Sequence, residues 1–399
     1  MKNKKLILLT ATFPNDQRET FIKNEIEYLS ASFSKVIIVP IYYTNATKEI
    51  ILPDNVFLAE YQPVRINLSR VIKNIFQISE IRSEFLQNTY SNIFKNKILI
   101  KSFQNAISIK DFLEKLLNNE NENAYYVYSY WLNDAAIALA LLKGKKWKKI
   151  SRAHGWDIYK ERHLYNYLPL RRFLTKNLDG IYCISEHGYN TLFEETPSQT
   201  IFLSRLGTSE IGLQEQETKS SSGNIINIIT IGNAIPLKRI HLIGEALLML
   251  NQKEYFWSHF GDGPLLNELK NSFSSGNFVG WIDNESLKIE LKRLSNNSLL
   301  INTSESEGIP VSMMEAMSLG IPCIGSNVGG VPEIIDDGVN GYLLDKNPSP
   351  KEIARHIKDF MNLSQDEKNK IKRNARKTWE EKYNAEKNYP EFIKSLFKL

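Results

Sequence analysis

Short apolar runs alternate with stretches of helical periodicity through both halves of the chain. This alternation is typical of parallel sheets whose strands are joined by crossover helices. The predicted strands of the first half are residues 5–10, 35–41, 124–130, 149–152, 180–184 and 200–204, and those of the second half are residues 224–232, 256–260, 278–279, 299–302, 323–325 and 342–344. The pattern therefore predicts an α/β protein with two doubly wound, Rossmann-like domains.

Domain boundaries follow from changes in this pattern. At 399 residues the chain exceeds what one hydrophobic core usually serves. We expect an amino-terminal domain over residues 1–208, a polar linker over residues 209–223 and a second domain over residues 224–375. Residues 376–399 are predicted to be helical and to pack back on the first domain. The pattern is weak between Tyr42 and Asn123, where residues 65–77 and 97–117 have helical character.

Composition indicates a cytoplasmic protein without a membrane-spanning helix. Hydrophobic residues make up 42% of the chain, enough for a sizeable interior, yet no apolar run approaches the roughly 18 residues of a membrane span. The basic start and short apolar run at the amino terminus suit a signal peptide, but a buried first strand explains them better. Cys183 and Cys323 lie in predicted strands without a Cys or His cluster, so we expect small core residues, no disulfide and no metal site.

Formal net charge is +5, and five lysines concentrate in the segment KGKKWKK, namely Lys143, Lys145, Lys146, Lys148 and Lys149. Such a run is usually a solvated loop. It also fits anionic lipid headgroups, with Trp147 available to enter the interface, which would make the protein peripheral on the inner face of the cytoplasmic membrane. The other basic residues are mixed with acidic ones and accompany no recognition motif, so we expect no nucleic-acid partner.

One segment of the second half combines a glycine-bearing loop, a helix start and two acids. Glu307 lies in the loop, and Glu315 lies within the first two turns of the helix that is predicted to begin near Pro310. The N–H groups of a helix start favour phosphate, whereas carboxylates favour hydroxyls, so a nucleotide sugar meets both preferences. The alternative is that Glu307 is a solvated loop residue and Glu315 an acid favoured by the helix dipole.

This segment, SESEGIPVSMMEAMSLGIPCIGSNVGGVPEII, resembles the E-x7-E motif of family 4 glycosyltransferases and the G-x-P and G-G-x-P-E sequences that follow it. Members of that family are retaining enzymes of the GT-B fold, in which two Rossmann-like domains face each other across a cleft. The resemblance covers nearly the whole chain and is strongest over residues 228–345. It implies donor-sugar contacts from Glu307, Gly308 and Ile309, a ribose contact from Glu315, and a helix start at Pro310, Val311 and Ser312 that stabilises the departing diphosphate.

Basic residues in the loop GNAIPLKRIHL extend the implied donor site. Lys238 and Arg239 stand just before a predicted helix, where cations can meet a diphosphate. Family 4 enzymes usually have Arg-x4-Lys here, and Lys238 matches the lysine while Asn233 occupies the arginine position. Whether Arg239 replaces the missing arginine is left open by the sequence. In the next loop, HFGDGPL, Gly261 and Gly263 allow a tight strand-to-helix turn and a close approach of the donor, and Gly232 and Gly261 are candidate donor contacts.

Two stretches of the first half also resemble the family, namely SRAHGWDIY and FPNDQRETF. The first places His154 where the family histidine contacts the donor sugar, and we take His154, Glu307 and Lys238 as candidate catalytic residues. In the second stretch, Arg18, Glu19 and Thr20 replace a glycine pair that many members carry, and these three residues are candidate acceptor contacts. FPNDQRETF and a third stretch, CISEHG, resemble the subgroup that assembles bacterial surface polysaccharides (capsule, exopolysaccharide and O-antigen).

The implied reaction moves a hexose-type sugar from a nucleoside diphosphate sugar to a hydroxyl of a glycan acceptor and keeps the anomeric configuration. We favour a UDP-sugar over a GDP-sugar, expect no cofactor besides this donor substrate, and expect an acceptor linked to a lipid diphosphate. A nucleotide-sugar epimerase of related fold, or a relative that binds a sugar nucleotide without turnover, remains the alternative.

Overall fold

The structure is a computed structural model that describes residues 4–15, 17–42, 51–118, 125–144, 147–212 and 225–399, without the side chains of residues 17, 18 and 20. The chain divides into two compact units. The first unit is formed by Met1–Arg205 with Tyr389–Leu399, and the second by Leu206–Asn388. Most of the predicted linker, residues 213–223, lies outside the described residues.

Strands and helices alternate along both units as the apolar runs predict. The first unit contains β1 (Lys5–Thr10), α1 (Lys23–Ser32), β2 (Lys35–Pro40), β3 (Val56–Leu58), α2 (Leu68–Gln77), α3 (Ser79–Ser91), α4 (Phe94–Asn118), β4 (Tyr125–Ser129), α5 (Asp134–Leu141), β5 (Trp147–Ala153), α6 (Arg171–Asn177), β6 (Gly180–Cys183), α7 (Glu186–Glu195) and β7 (Ile201–Leu203). The second contains β8 (Ile226–Ile231), α8 (Ile240–Leu247), β9 (Tyr255–Phe260), α9 (Leu266–Ser272), β10 (Asn277–Gly280), α10 (Asn284–Leu294), β11 (Ser298–Asn302), α11 (Val311–Ser318), β12 (Cys323–Ser326), α12 (Val331–Ile334), β13 (Gly341–Leu344), α13 (Pro350–Asn362), α14 (Gln365–Lys382) and α15 (Ala385–Leu396).

The strand order in each sheet is that of a doubly wound domain. Among the described residues, the first sheet has the order β3-β2-β1-β4-β5-β6-β7 and the second the order β10-β9-β8-β11-β12-β13, and their strands pair in parallel. The order reverses between β1 and β4 in the first unit and between β8 and β11 in the second. Ligands of such sheets bind at this switch point, beyond the carboxyl ends of the strands. The predicted fold class is confirmed.

Apolar side chains cover the sheets. In the first unit one face packs against α4, α5 and α6, and the other packs against α1 and the carboxyl-terminal residues Phe392, Ile393 and Leu396. Cys183 and Cys323 are fully buried core residues, as predicted, and burial raises the pKa of the Cys183 thiol to about 12. Within the described ranges, no helix is long and apolar enough to cross a membrane, and no group of three or more His, Cys, Asp or Glu could hold a metal ion.

The region of weak pattern contains more regular structure than the sequence predicts. Its described part holds the short strand β3 and three consecutive helices, α2, α3 and α4. The sequence predicts α2 and most of α4, whereas α3 has no apolar stripe because only Ile81 and Asn88 are buried on it. The sequence of a helix with so few buried positions shows no 3.6-residue hydrophobic period from which the helix could be predicted.

Candidate functional site

The loops after β8 and β9 approach each other so closely that a side chain does not fit between them. Gly261 has a φ of 145°, and a Cβ placed on it would lie 2.0 Å from the carbonyl oxygen of Gly232. Gly232 itself has a φ of 143°, and its N–H donates to the carbonyl of Phe260 over 2.9 Å. Both positions therefore require glycine, because a Cβ at Gly261 would overlap backbone and both φ values lie where other residues rarely occur.

An ion pair spans the switch point of the second sheet. Lys238 lies in the loop after β8 and Glu307 in the loop after β11, and Lys238 Nζ donates to Glu307 Oε1 over 2.5 Å. Asn302, the last residue of β11, donates to the same oxygen over 3.2 Å. Because β8 and β11 are neighbours in the sheet, their carboxyl-terminal loops meet, and the strand order brings together two residues that are far apart in sequence.

The charge of Glu307 is stabilised by its neighbours. The side chain is 13% exposed. Burial alone would raise the pKa of the Glu307 carboxyl, but the charge and hydrogen bond of Lys238, with the hydrogen bond from Asn302, lower this pKa below its usual value. Glu307 is therefore a carboxylate at neutral pH, and Lys238 is an ammonium held beside it.

Glu315 lies on α11, 3% exposed, and Asn284 at the start of α10 donates to its Oε1 over 2.9 Å. Burial raises the pKa of Glu315, and the bond from Asn284 only partly opposes this. A carboxylate in this position is costly to bury for fold stability alone, since one hydrogen bond does not replace its hydration. This burial favours a hydroxyl-binding role over the solvated, dipole-favoured acid.

The start of α11 presents free backbone donors. Pro310 occupies the cap position with extended φ and ψ. Within the described residues, the amide N–H groups of Gly308, Ile309, Val311 and Ser312 have no hydrogen-bond acceptor, while Gly308 is held in place through its carbonyl, which accepts from the N–H of Gly330 over 2.8 Å. Unpaired N–H groups at a helix start are suited to a phosphate or a sugar hydroxyl.

Arg239 forms hydrogen bonds with neighbouring loops that the sequence does not reveal. It adopts a left-handed backbone conformation with φ 48°, just before α8. Its guanidinium donates to the carbonyls of Thr303, Ser304 and Lys346 and to the side chains of Ser326 and Asn347, over 2.7 to 3.3 Å. Most of its five N–H groups are thus used to hold three loops together, and a contact between Arg239 and a donor phosphate stays a prediction.

Glu19 organises the switch point of the first sheet. It is 4% exposed, and its carboxylate accepts from the amide N–H groups of Ala11, Thr12 and Phe13, from the Thr12 hydroxyl, and from Trp131 Nε1. These donors come from the segments after β1 and after β4, so Glu19 fixes both in place. The side chains of the other two predicted acceptor contacts, Arg18 and Thr20, lie outside the described part of the structure.

His154 follows β5 at the same edge of the first sheet. Its ring packs against Tyr130 and Trp131, with ring centroids 5.0 Å and 4.5 Å away. Asp157 fixes the backbone by accepting from the N–H of His154 and, over 2.7 Å, from that of Leu132. The nearest Asp157 oxygen lies 3.7 Å from His154 Nδ1, and within the described residues neither ring nitrogen makes a hydrogen bond. The ring is thus positioned by packing, and both of its nitrogens are buried without a hydrogen bond among the described residues.

A cavity of about 500 Å³ opens at this edge of the first sheet. Its lining includes Tyr42, which follows β2, Asp134 at the start of α5, and Tyr61. Burial, with a smaller effect of Asp134, raises the pKa of Tyr42 to about 12, and burial raises the pKa of Asp134. None of these residues is predicted as a site residue from the sequence, nor are Asn284, Asn302 and Asp157, because isolated polar residues carry no periodic signal.

The carboxyl-terminal part of the chain matches a family model. Residues 214–378 match the model described as Glycosyl transferases group 1. Over 303 residues the chain is 25% identical to the uncharacterized glycosyltransferase MJ1178 of Methanocaldococcus jannaschii, covering 74% of this chain and 83% of that protein. It is also 25% identical over 245 residues to the putative colanic acid biosynthesis glycosyltransferase WcaL of Escherichia coli strain K12, covering 58% of this chain and 60% of WcaL.

A solved structure agrees with the fold. The structure of Anabaena Alr3699/HepE in complex with UDP-glucose has a TM-score of 0.67 to this chain, with 13% identity, and the match covers 99% of this chain and 100% of that one. The fold is therefore GT-B. Together with the matched domain over residues 214–378, these observations identify the chain as a GT-B glycosyltransferase with a glycosyl transferases group 1 domain.

Proposed function

We propose that the protein transfers a hexose-type sugar from a nucleoside diphosphate sugar, a UDP-sugar in preference to a GDP-sugar, to a hydroxyl of a glycan acceptor with retention of the anomeric configuration. The proposal that the protein binds a nucleoside diphosphate sugar rests on the ion pair of Lys238 and Glu307 at the switch point of the second sheet, next to the unpaired N–H groups at the start of α11. Relatives support it: the HepE structure holds UDP-glucose, and WcaL is named for colanic acid biosynthesis.

Each group of this site has a separate task in the proposed reaction. Lys238 and the N–H groups of Val311 and Ser312 stabilise the negative charge that builds up on the departing diphosphate. Glu307 accepts a hydrogen bond from a sugar hydroxyl and orients the sugar, with the amides of Gly308 and Ile309 as further donors. Glu315, whose burial favours the protonated form, gains a hydrogen-bonding partner when a ribose hydroxyl arrives.

The ion pair implies a rearrangement on donor binding. In the free protein the charge of Lys238 is balanced by Glu307 over 2.5 Å. A diphosphate competes for Lys238, and Glu307 then exchanges part of that interaction for a sugar hydroxyl. A diphosphate without the sugar leaves Glu307 less well compensated, so we expect a complete nucleotide sugar to bind better than the nucleoside diphosphate alone.

In the first unit, we propose that His154 contacts the donor sugar near the reacting carbon. We propose the cavity of Tyr42, Tyr61 and Asp134 as an acceptor site, because its tyrosines offer a flat apolar wall and its carboxyl and hydroxyls suit sugar hydroxyls. We also propose that the acceptor belongs to bacterial surface-polysaccharide assembly and is carried on a lipid diphosphate, which places the enzyme in the cytoplasm at the inner membrane surface.

Membrane contact through KGKKWKK stays a prediction, and two features of the structure favour a different membrane-binding surface. Lys145 and Lys146 lie outside the described residues, and Trp147 begins β5 and packs partly buried against the core of the first unit. Trp147 therefore has only part of its ring to offer a lipid interface. The segment also lies at the amino end of β5, about 20 Å along the strand from His154 at the other end.

The test combines a thermal-shift panel of nucleoside diphosphates and their sugars with a product assay. A ligand at about 100 times its Kd should raise the free energy of unfolding by about 2.7 kcal/mol. Release of nucleoside diphosphate together with a glycosylated acceptor supports transfer. Conversion of the donor into an epimer, with the nucleotide still attached, would establish the epimerase alternative, and binding without any product would establish a non-catalytic relative. No stabilisation by any nucleotide would refute the site.

A further inference from the structure

Exposed apolar side chains cluster on one surface of the first unit. They come from the junction of α3 and α4, where Tyr90 is 88% exposed, Ile93 61% and Phe94 about half, and from the loop after β5, where Leu164 is 76% exposed and Trp156 and Tyr165 are half-exposed. We refer to Tyr90, Ile93, Phe94, Trp156, Leu164 and Tyr165 as the apolar rim. Contiguous exposed apolar residues of this size usually mark a surface that binds something.

Ring contacts show that the two segments form one surface. Phe94 stacks on Tyr165 with ring centroids 5.8 Å apart and ring planes within 14° of each other. Tyr165 adopts a left-handed conformation, φ 60°, which costs a non-glycine residue energy. Trp156 packs on His163, with ring centroids 4.4 Å apart. Because His163 directly precedes Leu164, this contact brings the indole of Trp156 close to Leu164 in the same loop.

Positive charge accompanies the rim. Residues 85–110 contain four lysines and neither aspartate nor glutamate. Two of these lysines flank the rim, since Lys97 Nζ lies 5.2 Å from the ring centroid of Phe94 and Lys95 lies over Tyr167. On the other segment Arg162 lies over the Trp156 ring at 5.3 Å, and Glu161 is the exposed acid there. Tryptophan, tyrosine and long basic side chains are favoured at the boundary between headgroups and hydrocarbon.

We propose that the apolar rim is the surface by which the protein binds a bilayer that contains anionic lipid. Ile93, Phe94 and Leu164 enter the interface, Trp156, Tyr90 and Tyr165 lie at headgroup depth, and Lys95, Lys97 and Arg162 meet the lipid phosphates. A second copy of this chain fits the surface less well. Two copies joined through the same patch would place lysines against lysines, with Glu161 as the rim's exposed acid to offset them.

Docking through the rim has a consequence for the reaction. Trp156 lies two residues after His154, so the rim belongs to the loop that leaves the carboxyl end of β5, the edge of the sheet that carries the first unit's switch point. A bilayer bound there is adjacent to the edge that is proposed to receive a lipid-linked acceptor. This consequence rests on the proposed function, whereas docking itself does not.

The experiment measures sedimentation of the full chain with vesicles of phosphatidylcholine, with and without phosphatidylglycerol. The rim variant carries Ile93→Ser, Phe94→Ser and Leu164→Ser. Its matched control carries Leu248→Ser, Met249→Ser and Ile289→Ser, which remove equally exposed apolar side chains from the second unit. A charge variant carries Lys95→Gln and Lys97→Gln, and a fourth carries Lys143→Gln and Lys148→Gln.

We expect the unchanged protein to sediment with the anionic vesicles, the rim variant to partition at least about tenfold less, and the matched control to behave like the unchanged protein. The charge variant should lose the preference for anionic lipid. Equal sedimentation of the rim variant, or loss of binding only in the Lys143 and Lys148 variant, would overturn the proposal. A concentration-dependent dimer that the rim variant abolishes would overturn it in favour of a second copy.

Folding and function are followed separately. The melting temperature of each variant, and its shift with UDP, show whether the fold and the nucleotide site survive. If the triple variant does not fold, the single change Tyr90→Ser at the most exposed rim position should still weaken vesicle binding, and unchanged binding would count against the proposal. If the unchanged protein does not bind a nucleotide, the proposed function is refuted, whereas the vesicle result does not depend on nucleotide binding.

Discussion

Lys238→Ala removes one partner of the ion pair at the switch point and leaves Glu307 in its partly buried position. The two charged atoms are 2.5 Å apart, and at an effective dielectric constant of about 20 such charges attract each other by about 7 kcal/mol. Water can reach the 13% of Glu307 that is exposed, and Asn302 keeps its hydrogen bond, so most of this gross attraction is replaced. We expect a net loss of about 2 to 3 kcal/mol in the free energy of unfolding at pH 7.

The pH dependence of this loss identifies its origin. In the unchanged protein the folded pKa of Glu307 is lowered, so its contribution to stability is present above the unfolded pKa and disappears as pH falls through the folded pKa. Without Lys238, burial dominates and raises the pKa of Glu307 in the folded variant. The variant is therefore less stable at neutral pH, and it regains stability relative to the unchanged protein as Glu307 is protonated on acidification. The difference between the two proteins should therefore shrink steadily below about pH 5.

Denaturant titrations at pH 7 and at pH 4 measure this difference. Glu307→Gln is the matched control, because it removes the carboxylate that needs compensation, and adding Lys238→Ala to it should cost little further stability. A stability loss that is the same at both pH values, or the same with and without Glu307, would refute the reasoning. Turnover of Lys238→Ala should fall about 100-fold or more if the ammonium stabilises the departing diphosphate.

The remaining predictions concern the neighbouring residues. Glu315→Gln should lower donor affinity by about 1 to 3 kcal/mol in calorimetry while the fold survives, and unchanged affinity would return Glu315 to the role of a helix-start acid. Arg239→Ala should lower the free energy of unfolding by about 2 to 4 kcal/mol, since it leaves several loop carbonyls without their donor, and a folded variant that has lost only nucleoside diphosphate affinity would instead support a phosphate contact. Gly261→Ala should destabilise by about 3 kcal/mol or more because its Cβ would lie 2.0 Å from a carbonyl oxygen, whereas Gly338→Ala, at a φ of 70° that other residues adopt at lower cost and where a Cβ meets no neighbour, should cost less in the same melting assay.

The sequence predicts the fold because burial and periodicity coincide over most of the chain. Strands such as β1 and β11 are almost fully buried, so their apolar runs stand out between polar turns. The helices around the apolar rim are the exception. The exposed apolar residues of α3 and α4 face away from the core, which disturbs the amphipathic pattern that sequence analysis relies on.

The candidate site could be predicted only where a loop motif carries it. Glu307, Glu315 and Lys238 lie in loops or early helix turns after predicted strands, but the pairing of Lys238 with Glu307 depends on strand order, which the sequence does not encode locally. Arg239 shows the limit most clearly. Lys238, its neighbour in sequence, faces Glu307, whereas the left-handed backbone of Arg239 directs the guanidinium to the loop carbonyls. No pattern of residue types in the sequence distinguishes these two directions.

The two switch points hold buried carboxylates that differ in what they can still bind. Glu19 already accepts from five donors of its own unit, so its oxygens have no capacity for a ligand hydroxyl, and it acts on a ligand only by shaping the segments it holds. Glu307 accepts from Lys238 and Asn302 at one oxygen, and Lys238 can be drawn away by a diphosphate. In the described part of the first unit, the ring nitrogens of His154 are among the buried polar atoms that make no hydrogen bond, and packing holds the ring in place. The chemistry of the first unit should therefore depend on the His154 ring, with Glu19 as its support.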